Sequence, residues 1–178
     1  MATTYLTRTF GSAGNQKTWT WSAWVKKSQE SSSSTYNQVL FGTAGGSYDT
    51  IAFQTTPSNP KFMANISGNF ERATNALHRD CSGWYHLVVT FDSTQATASD
   101  RLKLFVNGVQ QSSFSSDTNG SQNDDSYINS TDAHQIGKQA GLARYFDGLM
   151  SHIHFIDGTA YDASAFDSTD ATTGELSK

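Results

Sequence analysis

The ten residues TWTWSAWVKK, Thr18 to Lys27, leave little freedom in how they can be folded. Side chains along a strand alternate between its faces. Trp19, Trp21, Ala23 and Val25 therefore share one side, and Thr20, Ser22, Trp24 and Lys26 the other. Tryptophans this dense are either a platform for stacking sugar rings or part of a sandwich core. The apolar company of Trp19 and Trp21 predicts the core. Trp24 points away, either under a covering loop or into the open.

The same period recurs along the chain, and helical periodicity is nearly absent. QVLFGT (38–43), TIAFQ (50–54), KFMANI (61–66) and NFERATNAL (69–77) read as short strands between Gly, Ser and Pro punctuation. WYHLVVTF (84–91) places Tyr85, Leu87, Val89 and Phe91 on one face. In RLKLFVNGVQQSSF, Asn107-Gly108 supplies the two positive-φ residues of a type I′ hairpin turn. HQIG and YFDGLMSHIHFID read as a last strand pair. The total, about ten to thirteen strands, is that of an all-β, two-sheet antiparallel sandwich. Residues 28–37 and 112–132 read as polar loops, the second long enough to be either functional or disordered. The expected organisation is one domain over 1–158. A polar extension, 159–178, either packs on the sandwich or links to a further module.

Charge narrows the partners. The 178 residues carry a net charge of −4, with no Lys or Arg between positions 104 and 137. Nucleic acid, which demands a basic footprint, is not an expected partner. Nor is membrane insertion, since no apolar run reaches the length of a span. MATTYLTRTF lacks the features of a secretion signal. Cys81 stands alone, so no intrachain disulfide forms. His152 and His154, at i and i+2, read as solvent-facing or interface residues rather than as the start of a transition-metal site.

Three segments in order resemble the laminin-G-like members of the concanavalin A-like lectin/glucanase superfamily. They are WTWSAWVKK, WYHLVVTFD followed by LKLFVNG, and IGKQAGLARYFDGLMSHIHFID. The resemblance covers Tyr5 to Asp157 and implies a jelly-roll sandwich, with a structural His86. Ser151-His152 stands where family members often carry Asp-Glu, so no role of those acids carries over. YLTRTFGSAGNQKTWTWSAWVKKS and IDGTAYDASAFDSTDATTGEL are similar to laminin-G-like segments in structural proteins of marine tailed phages.

That resemblance implies a carbohydrate-binding or adhesion module on a phage virion, meeting host glycan through its rim loops. Other virion proteins and further copies of the chain are its expected partners. A purely structural decoration or oligomerisation module is the alternative. The superfamily's glycosidases carry a Glu-x-Asp-x-Glu strand that this chain lacks, its glutamates being Glu30, Glu71 and Glu175. Catalysis is not expected. Loop tyrosines Tyr36, Tyr48, Tyr127, Tyr145 and Tyr161 offer flat rings with a hydroxyl, suited to a pyranose. The expected ligand-binding set is Tyr48, Asp49, Tyr127 and Tyr145. Many laminin-G-like domains hold calcium at the rim. Asp117, Asn119, Asp124 and Asp147 are its candidate ligands here, although Asn, Asp and Gly are ordinary turn formers too.

Overall fold

The computed structural model describes residues 3–29, 38–44, 49–56, 59–139, 141–166, 168–169 and 176–177. In chain order the first strands are β1 (Leu6–Thr9), β2 (Thr18–Lys27), β3 (Gln38–Thr43), β4 (Thr50–Thr56) and β5 (Asn59–Ile66). Next come β6 (Phe70–Thr74), β7 (Tyr85–Asp92), β8 (Leu102–Val106), β9 (Val109–Gln110) and β10 (Phe114–Thr118). β11 (Ala133–Ile136), β12 (Gly148–Asp157), β13 (Ser168–Thr169) and β14 (Leu176–Ser177) complete the series. A seven-stranded sheet runs β1-β11-β3-β4-β5-β6-β10, and a five-stranded sheet runs β12-β2-β7-β8-β9. Every pairing is antiparallel, and the two sheets form a jelly-roll β-sandwich.

Trp19, Trp21, Ala23 and Val25 all face the core. Trp19 stacks on Phe91 at 5.3 Å, and Trp21 stacks across the layers on Phe41 at 6.4 Å. Such pairs add perhaps 0.5–1.5 kcal/mol each beyond their buried area. Trp19 Nε1 donates to Ser126 Oγ at 2.9 Å, so a buried polar atom finds a partner. Trp24, on the other face, is only 7 % exposed and stacks on His86. His86 is itself buried, with Nε2 at 2.9 Å from Ser22 Oγ. Asn107 and Gly108 have φ of 49° and 78°, the turn geometry that the sequence predicts.

One edge of the sandwich is closed by a charged side chain. Arg72 is buried beneath β10 and spans the two sheets. Its guanidinium donates to the Leu102 and Ser99 carbonyls, to Asp117 at 2.9 Å and to Asn119 at 3.3 Å. The planar fork serves four acceptors at once, which an ammonium could not.

The outer face of the five-stranded sheet carries the segment after β12. Thr20 and Thr90, directly opposite each other on β2 and β7, are its anchors. Thr20 Oγ1 donates to Thr159 O at 2.7 Å and accepts from Tyr161 N at 2.8 Å, while Thr90 Oγ1 donates to Tyr161 O. Ala163 and Phe166 then pack on Val88 and Phe105.

Three expectations need correction. HQIG and the last long strand are not partners: β11 lies between β1 and β3, whereas β12 pairs with β2 in the other sheet. The stretch 112–132 is not wholly loop, since β10 pairs with β6. A bulge between Ser151 and His154, with His152 at φ 48°, breaks simple alternation along β12. His152 Nδ1 lies 2.7 Å from Ser151 Oγ, and His154 sits beside Phe166.

Candidate functional site

At the end of the sandwich where β2 begins, one carboxylate holds two loops. Asp49 is fully buried just before β4. Its Oδ1 accepts from Ser67 N at 2.6 Å, and its Oδ2 from Tyr127 N at 2.7 Å and Ile128 N at 2.9 Å. Burial pushes this carboxyl up to about 6, against the pull of the three backbone donors. His134 supports the same loop, its Nε2 accepting from Asn129 N at 2.8 Å. Burial lowers the imidazole's pKa, which favours the neutral ring that such an acceptor requires.

The residues that the sequence nominates are dispersed. Tyr48 and Tyr36 lie outside the described residues. Asp49 and Tyr127 do meet, but through the carboxylate and the Tyr127 backbone. Tyr145 lies at the opposite end, where Lys138 Nζ sits 5.4 Å from its ring centre and 4.4 Å from that of Tyr5. Asp147 is at that end too, accepting from Gln29 Nε2 at 3.1 Å.

As a calcium set the four candidates do not fit together. Asp117 and Asn119 converge on the Arg72 guanidinium, which already supplies the positive charge. Asp124 caps a turn, accepting from Ser121 N at 3.1 Å, and Asp147 is at the far end. Among the described residues no three of His, Cys, Asp and Glu gather to hold a metal ion.

A polar cleft of about 340 Å³ opens instead on the outer face of the five-stranded sheet. Thr90, Lys103 and Phe105 floor it, the segment Ala160–Asp162 walls one side, and Gln95, Asp100 and Gln110 form the opposite lip. Tyr161 is 44 % exposed there, its ring held by a perpendicular contact with Phe166. The lip is fixed from behind: Arg101 donates to Gln95 O at 2.8 Å, Ala96 O at 3.1 Å and Gly120 O at 2.6 Å. Gln95 Nε2 in turn donates to Asp92 Oδ2 at 2.6 Å. Burial works to raise the Asp92 carboxyl, but hydrogen bonds from Thr94, Gln95 and Thr18 outweigh it and hold its pKa below the ordinary value. The cleft thus offers a tethered aromatic ring among amides and ionised carboxylates, a surface suited to accepting hydroxyl protons.

A second, apolar groove of about 420 Å³ runs along the opposite side of the sandwich. Leu6 and Ile136 border it, with Phe10, Phe41, His134 and Phe155 behind. Leu6, on edge strand β1, is 65 % exposed. Sequence reasoning missed both hollows. Tyr161 was the one visible signal of the polar cleft, a loop tyrosine among polar residues.

Comparison with solved structures places this architecture among known folds. Domain 4 of AbnA, a GH43 extracellular arabinanase from Geobacillus stearothermophilus, in complex with arabinotriose, superposes with a TM-score of 0.59 at 18 % identity. The match covers 83 % of this chain and 64 % of that one, so the chain spans less than two thirds of that domain's length. A native heptameric SAP-like pentraxin from Limulus polyphemus gives 0.58 at 10 % identity, over 85 % of this chain and 68 % of the other. No curated protein matches the chain. A family model, Laminin_G_3 of the concanavalin A-like lectin/glucanases superfamily, matches residues 2–164. With that match over most of its length, on a two-sheet antiparallel sandwich, the chain belongs to this laminin-G family of the concanavalin A-like lectin/glucanases superfamily.

Proposed function

We propose that the chain is a non-catalytic carbohydrate-binding and adhesion module, carried on a phage virion appendage or capsid fibre and directed at host surface glycan. The polar cleft carries this reading. It combines a half-exposed tyrosine, amides and carboxylates on a rigid scaffold, the mix that saccharides select. The arabinotriose held by the arabinanase domain, on a similar sandwich, supports it. The likeness of the two end segments to marine tailed-phage proteins supports the virion setting.

The expectation of no turnover rests on the arrangement of the carboxyls. A glycosidase needs one protonated and one ionised carboxyl facing a single bond. Hydrogen bonds keep Asp92 ionised, Asp100 is paired with Lys103, Asp162 Oδ1 caps Ser164, and Glu71 on β6 accepts from Asn65 Nδ2 at 3.0 Å, away from the cleft. Calcium enters as a variable of the test and not as part of the seat. A glycan array run with and without calcium should show saturable binding, and polysaccharide incubated with the protein should stay intact. Released sugar would establish an enzyme instead.

The apolar groove favours a second reading, a structural module that assembles through the β1 side. Absence of array binding together with a stable trimer or larger species by light scattering would decide for it.

A further inference from the structure

We infer that the polar cleft is a seat for a neutral, hydroxyl-rich saccharide and discriminates against acidic ones. This rests on the glycan-binding reading and adds its specificity. Four charged side chains line the cleft: Asp92, Asp100 and Asp162 against Lys103, three negative to one positive. The single ammonium is already engaged, with Lys103 Nζ 3.1 Å from Asp100 Oδ1. A sugar carboxylate, sulfate or phosphate entering here meets like charge with no free cation to receive it.

Hydroxyls find the reverse. They are donors as well as acceptors, and ionised carboxylates make the stronger hydrogen bonds with them. Gln110 on the lip adds an amide that can both give and accept. Tyr161 presents a ring for the C–H face of a pyranose. The volume, about 340 Å³, lies near the lower end of the roughly 300–1,000 Å³ of ligand pockets, which suits a short saccharide.

A cation satisfies the sign of the field but not the bonding. Asp92 Oδ1 already takes Thr18 and Thr94, Asp100 Oδ1 is paired with Lys103, and Asp162 Oδ1 caps Ser164, so what remains is single lone pairs on the second oxygens, which hydroxyls can use one at a time. No bare carboxylate pair is left to draw an ammonium.

The test is an amide chemical-shift titration of the ¹⁵N-labelled full chain at millimolar sugar. The neutral probes are lactose, cellobiose and arabinotriose, the anionic ones sialyllactose and digalacturonate, and the cationic one deacetylated chitobiose. At least one neutral sugar should shift the Gln95, Gln110 and Tyr161 amides. Anionic probes should bind about tenfold more weakly or worse, a difference of about 1.4 kcal/mol. The double variant Asp100→Asn/Asp162→Asn should narrow that gap several-fold, since Asn at position 162 keeps a capping oxygen. Tyr161→Ala should weaken the neutral sugar about tenfold, while Tyr161→Phe keeps most of the affinity.

Equal or tighter binding of sialyllactose or digalacturonate overturns the specificity and leaves the glycan reading intact. So does chitobiose outcompeting every neutral sugar. Shifts confined to residues away from the cleft overturn the seat. If no sugar of any charge moves an amide, the glycan-binding reading itself fails.

Discussion

Acid should destabilise this fold through its buried histidines, His78 most of all and His134 in the same sense, and a buried carboxyl should mask the His78 effect. His78 is 7 % exposed, wedged against Phe53 and in perpendicular contact with Tyr85 at 5.5 Å. Burial, helped by the nearby Lys27 ammonium, lowers its pKa from 6.5 to about 4. Between those values the unfolded chain binds a proton that the folded chain refuses. The stability this neutral ring contributes is therefore complete above pH 6.5, drains away as pH falls, and is gone near pH 4. A displacement of that size is worth on the order of 3 kcal/mol. Asp49 works in the opposite sense. Its carboxyl, raised from 3.8 to about 6, takes up a proton in the folded state first and so favours folding as acid is added. Over pH 4–6.5 the two nearly cancel, and the parent protein should look almost indifferent to pH on their account. The informative quantity is the difference between the parent and His78→Gln. Urea unfolding followed by tryptophan fluorescence at half-unit steps from pH 7.5 to 4 gives it. The variant, less stable at pH 7.5 because it loses the ring contacts, should recover about 3 kcal/mol relative to the parent by pH 4. Parallel curves across that range would refute the reasoning.

Three further outcomes follow from the packing. Asp49→Asn should change stability at neutral pH by less than about 2 kcal/mol, because the poorer acceptor set an amide offers three buried N–H groups and the removal of a buried charge oppose each other. It should also speed hydrogen exchange at Tyr127 and Ile128 and steepen the acid loss. Arg72→Lys should cost about 2–4 kcal/mol in guanidinium midpoints, since a point charge cannot serve Asp117, Asn119 and two carbonyls together. Gly120→Ala should cost about 1–3 kcal/mol by thermal melt, because a β-carbon would lie 2.6 Å from the buried Phe70 ring; an unchanged midpoint would mean that the loop yields.

Much of the scaffold can be read from local pattern. The indole face of β2, the four inward residues of β7 and the Asn107-Gly108 turn need only alternation and φ preference to be found. What pattern cannot show is which layer a strand joins. β11 and β12 are neighbours in sequence yet lie in opposite sheets, and it is between these layers that Phe155 stacks on Phe41. β10 escapes notice because FSSDT is an edge strand with little to bury. The cleft is hidden for a related reason. Thr20 and Thr90 read as solvent-side residues, and nothing local announces that they fasten a segment some seventy or more positions away. Sequence pattern nominates Asp49 as a binding residue, whereas its carboxylate is directed at backbone amides.

The buried Asp49 clamp splits the connection between β10 and β11 into two territories. Ser126 and Ile128 to Ser130 are buried and Tyr127 is half-buried, all tied down, whereas Ser121 to Asn123 and Asp125 stand in the open. An engineer wishing to graft foreign peptides onto this sandwich would find the outer stretch permissive and the inner one intolerant, with the border falling at a serine.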